Sequence, residues 1–190
     1  MNTRLLTLIG IAICLVAVAG PATASANWTH EGSELEEDAE IEMSGPANIA
    51  LSSGVAGAHF TIHLKGTLSA ISRTGQLNSV TVTGCTGTGA LNGLSCTGTV
   101  SAIPWQIHWD PLRQSILITG VNVTLHFYSS GSHTTPVAQT NTQGSIVATP
   151  DNAEAFGAFG LDGEGMTTNG NSSTMEGELA VTPSETFGGE

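Results

Sequence analysis

The strongest strand pattern in the chain is Ser115-Ile-Leu-Ile-Thr-Gly-Val-Asn-Val-Thr-Leu-His-Phe-Tyr128. Apolar and polar residues alternate along almost its whole length. Alternation with a period of two is typical of a β-strand that buries one face. Ile116 and Ile118 share one parity, but Val121 and the apolar residues after it share the other. One extra residue between the two halves would bring both onto the same face. We therefore predict a long strand with a β-bulge at Gly120.

The same alternation recurs in shorter stretches on both sides of this strand, whereas helical periodicity has no support after the first 26 residues. Turn signals rich in Gly, Pro, Ser and Asn separate the stretches at spacings that suit antiparallel neighbours. We predict an all-β fold, a single antiparallel β-sandwich of about eight to ten strands, with a jelly-roll arrangement as one form of it.

The first 26 residues have the pattern of a secretory signal peptide. Arg4 precedes an unbroken apolar run at residues 5–19, and the small residues Ala24 and Ala26 follow it. This order suits a helical signal that is cleaved before Asn27. We predict a protein that is secreted or associated with the cell surface, outside the cytoplasm.

The rest of the chain divides by composition into three parts. Seven acidic residues crowd the stretch at 27–43, which we interpret as a solvated acidic arm leading into an edge strand. The β-sandwich is predicted at 44–182, and the polar end at 183–190 is interpreted as a disordered tail.

Charge excludes several classes of partner. All sixteen acidic residues follow Ala26, but only three of the four basic residues do, so the cleaved protein would have a net charge of 3 − 16 = −13. Binding to nucleic acid needs many Lys and Arg side chains, and anionic membranes attract basic segments. We predict no nucleic-acid partner, and no integral membrane segment after the signal is removed.

The cysteines indicate a disulfide bond. Removal of Cys14 with the signal leaves Cys85 and Cys96, an even number in an oxidising compartment. Such a pair is typical of a disulfide in an exported protein. A metal site is the alternative interpretation, but no histidine lies near the two cysteines to complete a tetrahedral set of ligands.

One aromatic segment has two interpretations. Trp105, Ile107 and Trp109 share a face of a predicted strand bounded by Pro104 and Pro111. They could form an apolar surface for a ligand or an oil interface. Alternating aromatic residues on a strand are more often part of the core, and we favour that interpretation.

Metal binding and catalysis have little support. The best candidate metal ligands are His59 and His63 on one strand face and the acidic pair Asp162 and Glu164, yet the histidines alternate with core residues and should face solvent. No Gly-x-Ser-x-Gly elbow occurs, and the stretch at 44–150 contains a single acidic residue, Asp110. We predict a protein that is not an enzyme and has no cofactor.

Four segments resemble a known family. They are residues 44–47, 77–85, 103–105 and 118–123, within a region of about 44–149. Their pattern is similar to that of the small secreted bacterial proteins called protein activator of alkane oxidation, the PraB-like family. The resemblance implies an exported, non-enzymatic protein of the cell surface or biofilm, or one that aids growth on hydrophobic substrates. It implies no catalytic residue.

Two functions follow as expectations. The first is an exported surface or matrix protein that contacts hydrophobic material or cell-surface components. The alternative is a carbohydrate-binding or adhesive module, which would need aromatic platforms for glycans. The available platforms are Trp28, Trp105, Trp109 and Tyr128.

Overall fold

The structure is a computed structural model that describes residues 27–51, 56–129, 134–163, 165–182 and 187–189. Within these ranges the regular structure consists of β-strands, and no helix occurs. The predicted signal peptide at 1–26 lies outside them. The thirteen strands of the described ranges are β1 (Trp28–His30), β2 (Ser33–Glu34), β3 (Ala39–Leu51), β4 (Ala56–Leu68), β5 (Thr74–Gly89), β6 (Ser95–Val100), β7 (Trp105–Asp110), β8 (Ser115–Tyr128), β9 (Ala138–Pro150), β10 (Ala158–Asp162), β11 (Met166–Thr168), β12 (Asn171–Thr182) and β13 (Phe187–Gly189).

The strands form one large antiparallel sheet and one small one. The large sheet has ten strands in the order β10-β9-β11-β12-β3-β4-β5-β6-β8-β7, and the small sheet has the order β13-β1-β2. Further pairings join β9 to β8 and β10 to β12, so the ladders run continuously around the core. Across that core Ile49 and Ala58 line one small space with Leu125 and Phe127. The predicted all-β antiparallel sandwich is confirmed.

Strand β8 has the predicted bulge. Ile118 pairs with Ile146 of β9, and Val121 pairs with Gly144, so two residues of β8 face one residue of β9 between these pairs. Gly120 has a φ of 79°, which favours glycine. A Cβ there would meet no atom within 4 Å, so the backbone conformation, not space, requires the glycine. The bulge also marks where the other neighbour of β8 changes from β7 to β6.

The small sheet covers one end of the sandwich, which we call the cap end. Trp28 of β1 is fully buried, and its indole Nε1 donates a hydrogen bond of 2.9 Å to the Thr74 carbonyl at the start of β5. Its ring lies 6.1 Å from that of Trp109 and 6.4 Å from that of Phe156. On the other side Gly189 of β13 lies so close to Trp109 that an added Cβ would sit 2.3 Å from the indole ring.

The cap end and the opposite end are defined by different turns. The cap end includes the turns at 69–73, 111–114 and 151–157, whereas the far end includes the turns at 90–94 and 169–170. Strand β5 runs from one end to the other over 16 residues, a length of about 50 Å.

Two predicted boundaries are wrong. The arm at 27–43 contributes β1 and β2 to the cap, and its last five residues begin β3, which pairs with both β4 and β12 and is not an edge strand. The tail was predicted to be disordered, but Phe187–Gly189 pairs with β1, and Phe187 is buried. Trp28–His30 and Phe187–Gly189 form strands because each supplies the other with backbone partners and an apolar surface to cover.

Candidate functional site

The segment with two interpretations belongs to the core. Trp105, Ile107 and Trp109 are at most 1% exposed, while Gln106 and His108 between them face outwards. Strand β7 pairs with β5 and β8, and the face that carries these three residues is turned to the core. These three residues therefore offer no surface to a ligand.

Most of the aromatic platforms predicted for glycans are buried as well. Trp28, Trp105 and Trp109 are all buried, and none can stack on a sugar ring. Tyr128, at the end of β8, is half-buried, so part of its surface is open to solvent. Of the four predicted platforms, Tyr128 alone stays accessible.

The candidate metal ligands lie apart from one another. His59 and His63 point outwards from β4, and His59 Nδ1 is hydrogen-bonded to Asn48 Oδ1 of β3. Asp162 lies in β10, which is separated from β4 by β12 and β3. Glu164 lies outside the described residues. Within the part of the chain that the structure describes, no three His, Cys, Asp or Glu side chains come together in a way that could hold a metal ion.

The predicted disulfide joins β5 to β6 at the far end. Cys85 and Cys96 are bonded, with their Cα atoms 4.9 Å apart, and both are buried. The next residues on each strand, Thr86 and Ser95, form a cross-strand pair. The bond thus holds two strands together beside the turn at 90–94.

A feature that sequence reasoning missed lies in the turn at 69–73, between β4 and β5. Ile71 at the tip of this turn is 92% exposed. The turn is closed by a hydrogen bond of 2.9 Å from the Ser69 amide to the Thr74 carbonyl. Asp38 braces it from outside, because its Oδ1 accepts a hydrogen bond of 2.9 Å from the Ala70 amide.

The turn at 111–114, between β7 and β8, repeats this arrangement. Leu112 is 95% exposed. Asp110 Oδ1 accepts hydrogen bonds from the amides of Leu112 (3.0 Å) and Arg113 (3.3 Å). The Arg113 Nε lies 3.7 Å from Asp110 Oδ2. A carboxylate therefore fixes the backbone under the exposed leucine as well.

The two turns lie side by side at the cap end, and we call residues 69–73 and 111–114 the turn pair. Thr74 of β5 is opposite His108 of β7, and one step further the Trp109 amide donates a hydrogen bond of 2.8 Å to the Arg73 carbonyl. Because β5 and β7 are antiparallel neighbours, the two turns project beyond the same edge. Ile71 and Leu112 are the most exposed large apolar side chains among the described residues.

A third connection at the cap end is also held by an aspartate. Asp151 Oδ1 accepts hydrogen bonds of 3.0 Å from the amides of both Gly157 and Ala158. These bonds, that from Ala158 first, favour the charged carboxylate and lower the pKa of Asp151 below its ordinary value. In the described part of the cap end, three turns thus each have backbone amides that donate to one aspartate carboxylate.

The sequence does contain a faint signal for the turn pair. Ile71 stands in Ser-Ala-Ile-Ser-Arg and Leu112 in Pro-Leu-Arg-Gln, so each is a large aliphatic residue in a turn where polar residues are usual. Isolated apolar residues on a surface are common, however, and each alone would need no explanation. Only the register of β5 with β7 brings the two together.

The chain matches no protein-family model, no curated protein and no solved structure. The resemblance to the activators of alkane oxidation therefore stays a prediction. In the described ranges no helix is long and apolar enough to cross a membrane.

Proposed function

We propose that this is an exported, non-enzymatic protein of the cell surface or extracellular matrix that adsorbs to apolar material through the turn pair. The observation that carries the proposal is the nearly complete exposure of Ile71 and Leu112 on two neighbouring turns. Their position at one end of an elongated sandwich would let both side chains reach a flat apolar phase together.

The energetics favour adsorption of this kind. Removing one large aliphatic side chain from water contributes about 1.5–3 kcal/mol, so two together are sufficient for reversible attachment. The carboxylates of Asp38 and Asp110 already hold the turns in shape, so little conformational entropy is lost when the side chains bind.

The charge distribution supports an uncharged partner. Glu36, Glu37 and Asp38 lie in the segment that reaches the turn at 69–73, and Asp110 ends β7 directly before the other turn. Against these four carboxylates stand two cations, Arg73 and Arg113, so the surroundings of the turn pair keep a net negative charge. That charge would disfavour an anionic surface, whereas a hydrocarbon phase has no charge to oppose it. The carboxylates would also keep the protein soluble before it adsorbs.

The test is the tension of a hexadecane–water interface with purified protein in the water phase. We expect the wild-type protein to lower the tension more than an equally acidic, unrelated β-sandwich does. The double variant Ile71→Ser/Leu112→Ser should lose most of that difference. A matched control, Ile103→Ser/Val137→Ser, removes two other exposed aliphatic side chains and should behave as the wild type does.

Two outcomes would overturn the proposal. One is a wild-type protein that lowers the tension no more than the unrelated protein. The other is an equal loss in both double variants, since adsorption would then depend on apolar surface in general and not on the turn pair.

A further inference from the structure

An open depression lies at the far end, where β4, β5 and β6 meet around the turn at 90–94. Its volume is about 530 Å³. Most of its lining side chains are polar, and none belongs to Asp, Glu, Lys or Arg: His59, Thr86, Thr88, Asn92 and Ser95. Leu94 and two glycines complete the lining. It is about 50 Å from the turn pair along β5, so it does not belong to the site already described.

The lining groups suit a ligand that carries many hydroxyls. The three hydroxyls of Thr86, Thr88 and Ser95 can each donate and accept a hydrogen bond, and the amide of Asn92 can do both. His59 Nδ1 donates to Asn48 Oδ1, so Nε2 is an acceptor in the neutral ring. Sugar hydroxyls need such mixed partners, whereas a carboxylate or phosphate ligand would need cations.

An accessible aromatic ring adjoins the depression. Ser95 of β6 is directly opposite Tyr128 of β8, so their side chains share the outer face. The Thr97 hydroxyl donates a hydrogen bond of 3.4 Å to Tyr128 Oη, so the ring lies over the outer face of β6, next to Ser95. A tyrosine offers an apolar face and a polar tip together, the combination on which a sugar ring stacks.

The frame of the depression is rigid without a ligand. The Cys85–Cys96 disulfide lies directly behind Thr86 and Ser95. The turn itself is closed by the Gly87 amide, which donates a hydrogen bond of 3.0 Å to the Leu94 carbonyl. A site held in this way loses little freedom on binding.

We propose that the depression at the far end binds a neutral glycan, with Tyr128 stacking on a sugar ring and the hydroxyls of Thr86, Thr88 and Ser95 bonding to its edge. We infer an uncharged occupant because the described lining residues include no Asp, Glu, Lys or Arg. The depression in the β3–β4 region of the other half, by contrast, is lined by Glu40, Glu42 and Lys65 and does not fit this ligand. The proposal is independent of the turn pair.

The test is titration of isotope-labelled protein with three neutral hexasaccharides, of maltose, cellobiose and chitobiose type, followed by amide chemical shifts. We expect at least one of them to shift resonances of the turn at 90–94 and of Tyr128, with a dissociation constant of about 1 mM or tighter. An anionic alginate oligosaccharide of the same length should not bind there.

Variants locate the effect. Thr86→Val/Thr88→Val keeps the shape and removes two hydroxyls, and Tyr128→Ala removes the platform; each should weaken binding about tenfold or more. The matched control Thr149→Val/Thr182→Val removes two exposed strand threonines at the cap end and should bind as the wild type does. Thermal unfolding of each variant establishes that it is folded.

The proposal is overturned if none of the three neutral oligosaccharides shifts these resonances. It is equally overturned if the control variant loses as much affinity as Thr86→Val/Thr88→Val, or if alginate binds the same resonances more tightly. Because Ile71 and Leu112 take no part, failure here leaves the adsorption proposal untouched.

Discussion

Aspartate carboxylates hold the turns of the cap end in shape, whereas neutral amides and a disulfide hold the turns of the far end. Asp38, Asp110 and Asp151 each accept backbone N–H bonds in a turn of the cap end. At the far end the Asn141 amide donates to Asn169 Oδ1 at 2.8 Å, and the Asn169 amide donates back to the Asn141 carbonyl at 2.9 Å. The turns at the two ends of the same sheet are therefore held by chemically different groups.

This difference predicts how each end should respond to acid and to reductant. An ionised carboxylate makes stronger hydrogen bonds than a neutral amide, but acid neutralises it and removes that advantage. Amides do not titrate, and a disulfide is sensitive to reductant instead. Acid should thus weaken the cap-end turn held by Asp151, whose pKa is lowered in the folded protein, and reductant should act on the disulfide of the far end.

The largest expected effect comes from Trp28→Ala, which removes the aromatic side chain at the centre of the cap. Loss of a fully buried tryptophan leaves a cavity and should lower the free energy of unfolding by about 3–5 kcal/mol. Urea unfolding measures this loss. Tyr128→Ala, which truncates the half-buried aromatic side chain of the far end, is the comparison and should cost less. Equal losses would contradict a cap that depends on its aromatic cluster.

The double variant Cys85→Ala/Cys96→Ala should have the next largest effect. Opening a loop of this length should lower the free energy of unfolding by about 3 kcal/mol in the chain-entropy model. Adsorption to hexadecane should not change, because the turn pair lies at the other end. Wild-type protein in reductant is the control and should unfold at the same urea concentration. A parallel loss of adsorption would mean that the two ends are coupled.

A smaller effect is expected from Asp110→Ala, which removes the acceptor of two turn amides. By analogy with a lost helix cap, the free energy of unfolding should fall by about 1 kcal/mol, and adsorption should weaken because Leu112 is no longer held. Asp110→Asn keeps the Oδ1 acceptor and should retain most of both. If Asn is as damaging as Ala, the ion pair with Arg113 matters more than the shape of the turn.

The smallest effect is a pH dependence at Asp151. Its pKa is lowered in the folded protein, so its stabilising contribution is complete above the pKa of the unfolded chain and is lost as the pH falls through the folded value. The difference in melting temperature between wild type and Asp151→Asn should therefore shrink between about pH 5 and about pH 2. A constant difference over this range would show that the carboxylate charge is not involved.

Local patterns predicted the parts of this fold that depend on local sequence. The parity change along β8 predicted the bulge at Gly120, since a face of a strand can be read from neighbouring residues alone. Two cysteines that follow a predicted export signal predicted the Cys85–Cys96 bond. Alternation at Trp105 and Trp109 was compatible with core or surface, and only the partners of β7 decided between them.

The sequence analysis missed elements whose pairing partners lie far away in the chain. Strands β1 and β13 have three residues each, too few for a visible period, and they form because each pairs with the other. Strand β11 also has only three residues, and its Thr168 is buried with its hydroxyl bonded to that of Thr142 of β9 at 2.7 Å. The turn pair was missed for the same reason, since the neighbours of Ile71 and Leu112 come from another hairpin.

The pairing of β1 with β13 also sets an order of events during synthesis. Trp28 is synthesised long before Phe187, so β1 has no β13 to pair with until residues 187–189 have been made. Until then the rings of Trp28, Trp109 and Phe156 are not covered by β13 and form an exposed apolar surface of the kind that chaperones bind. The cap is therefore one of the last parts of the described fold that can form, because Phe187–Gly189 supplies one of its strands.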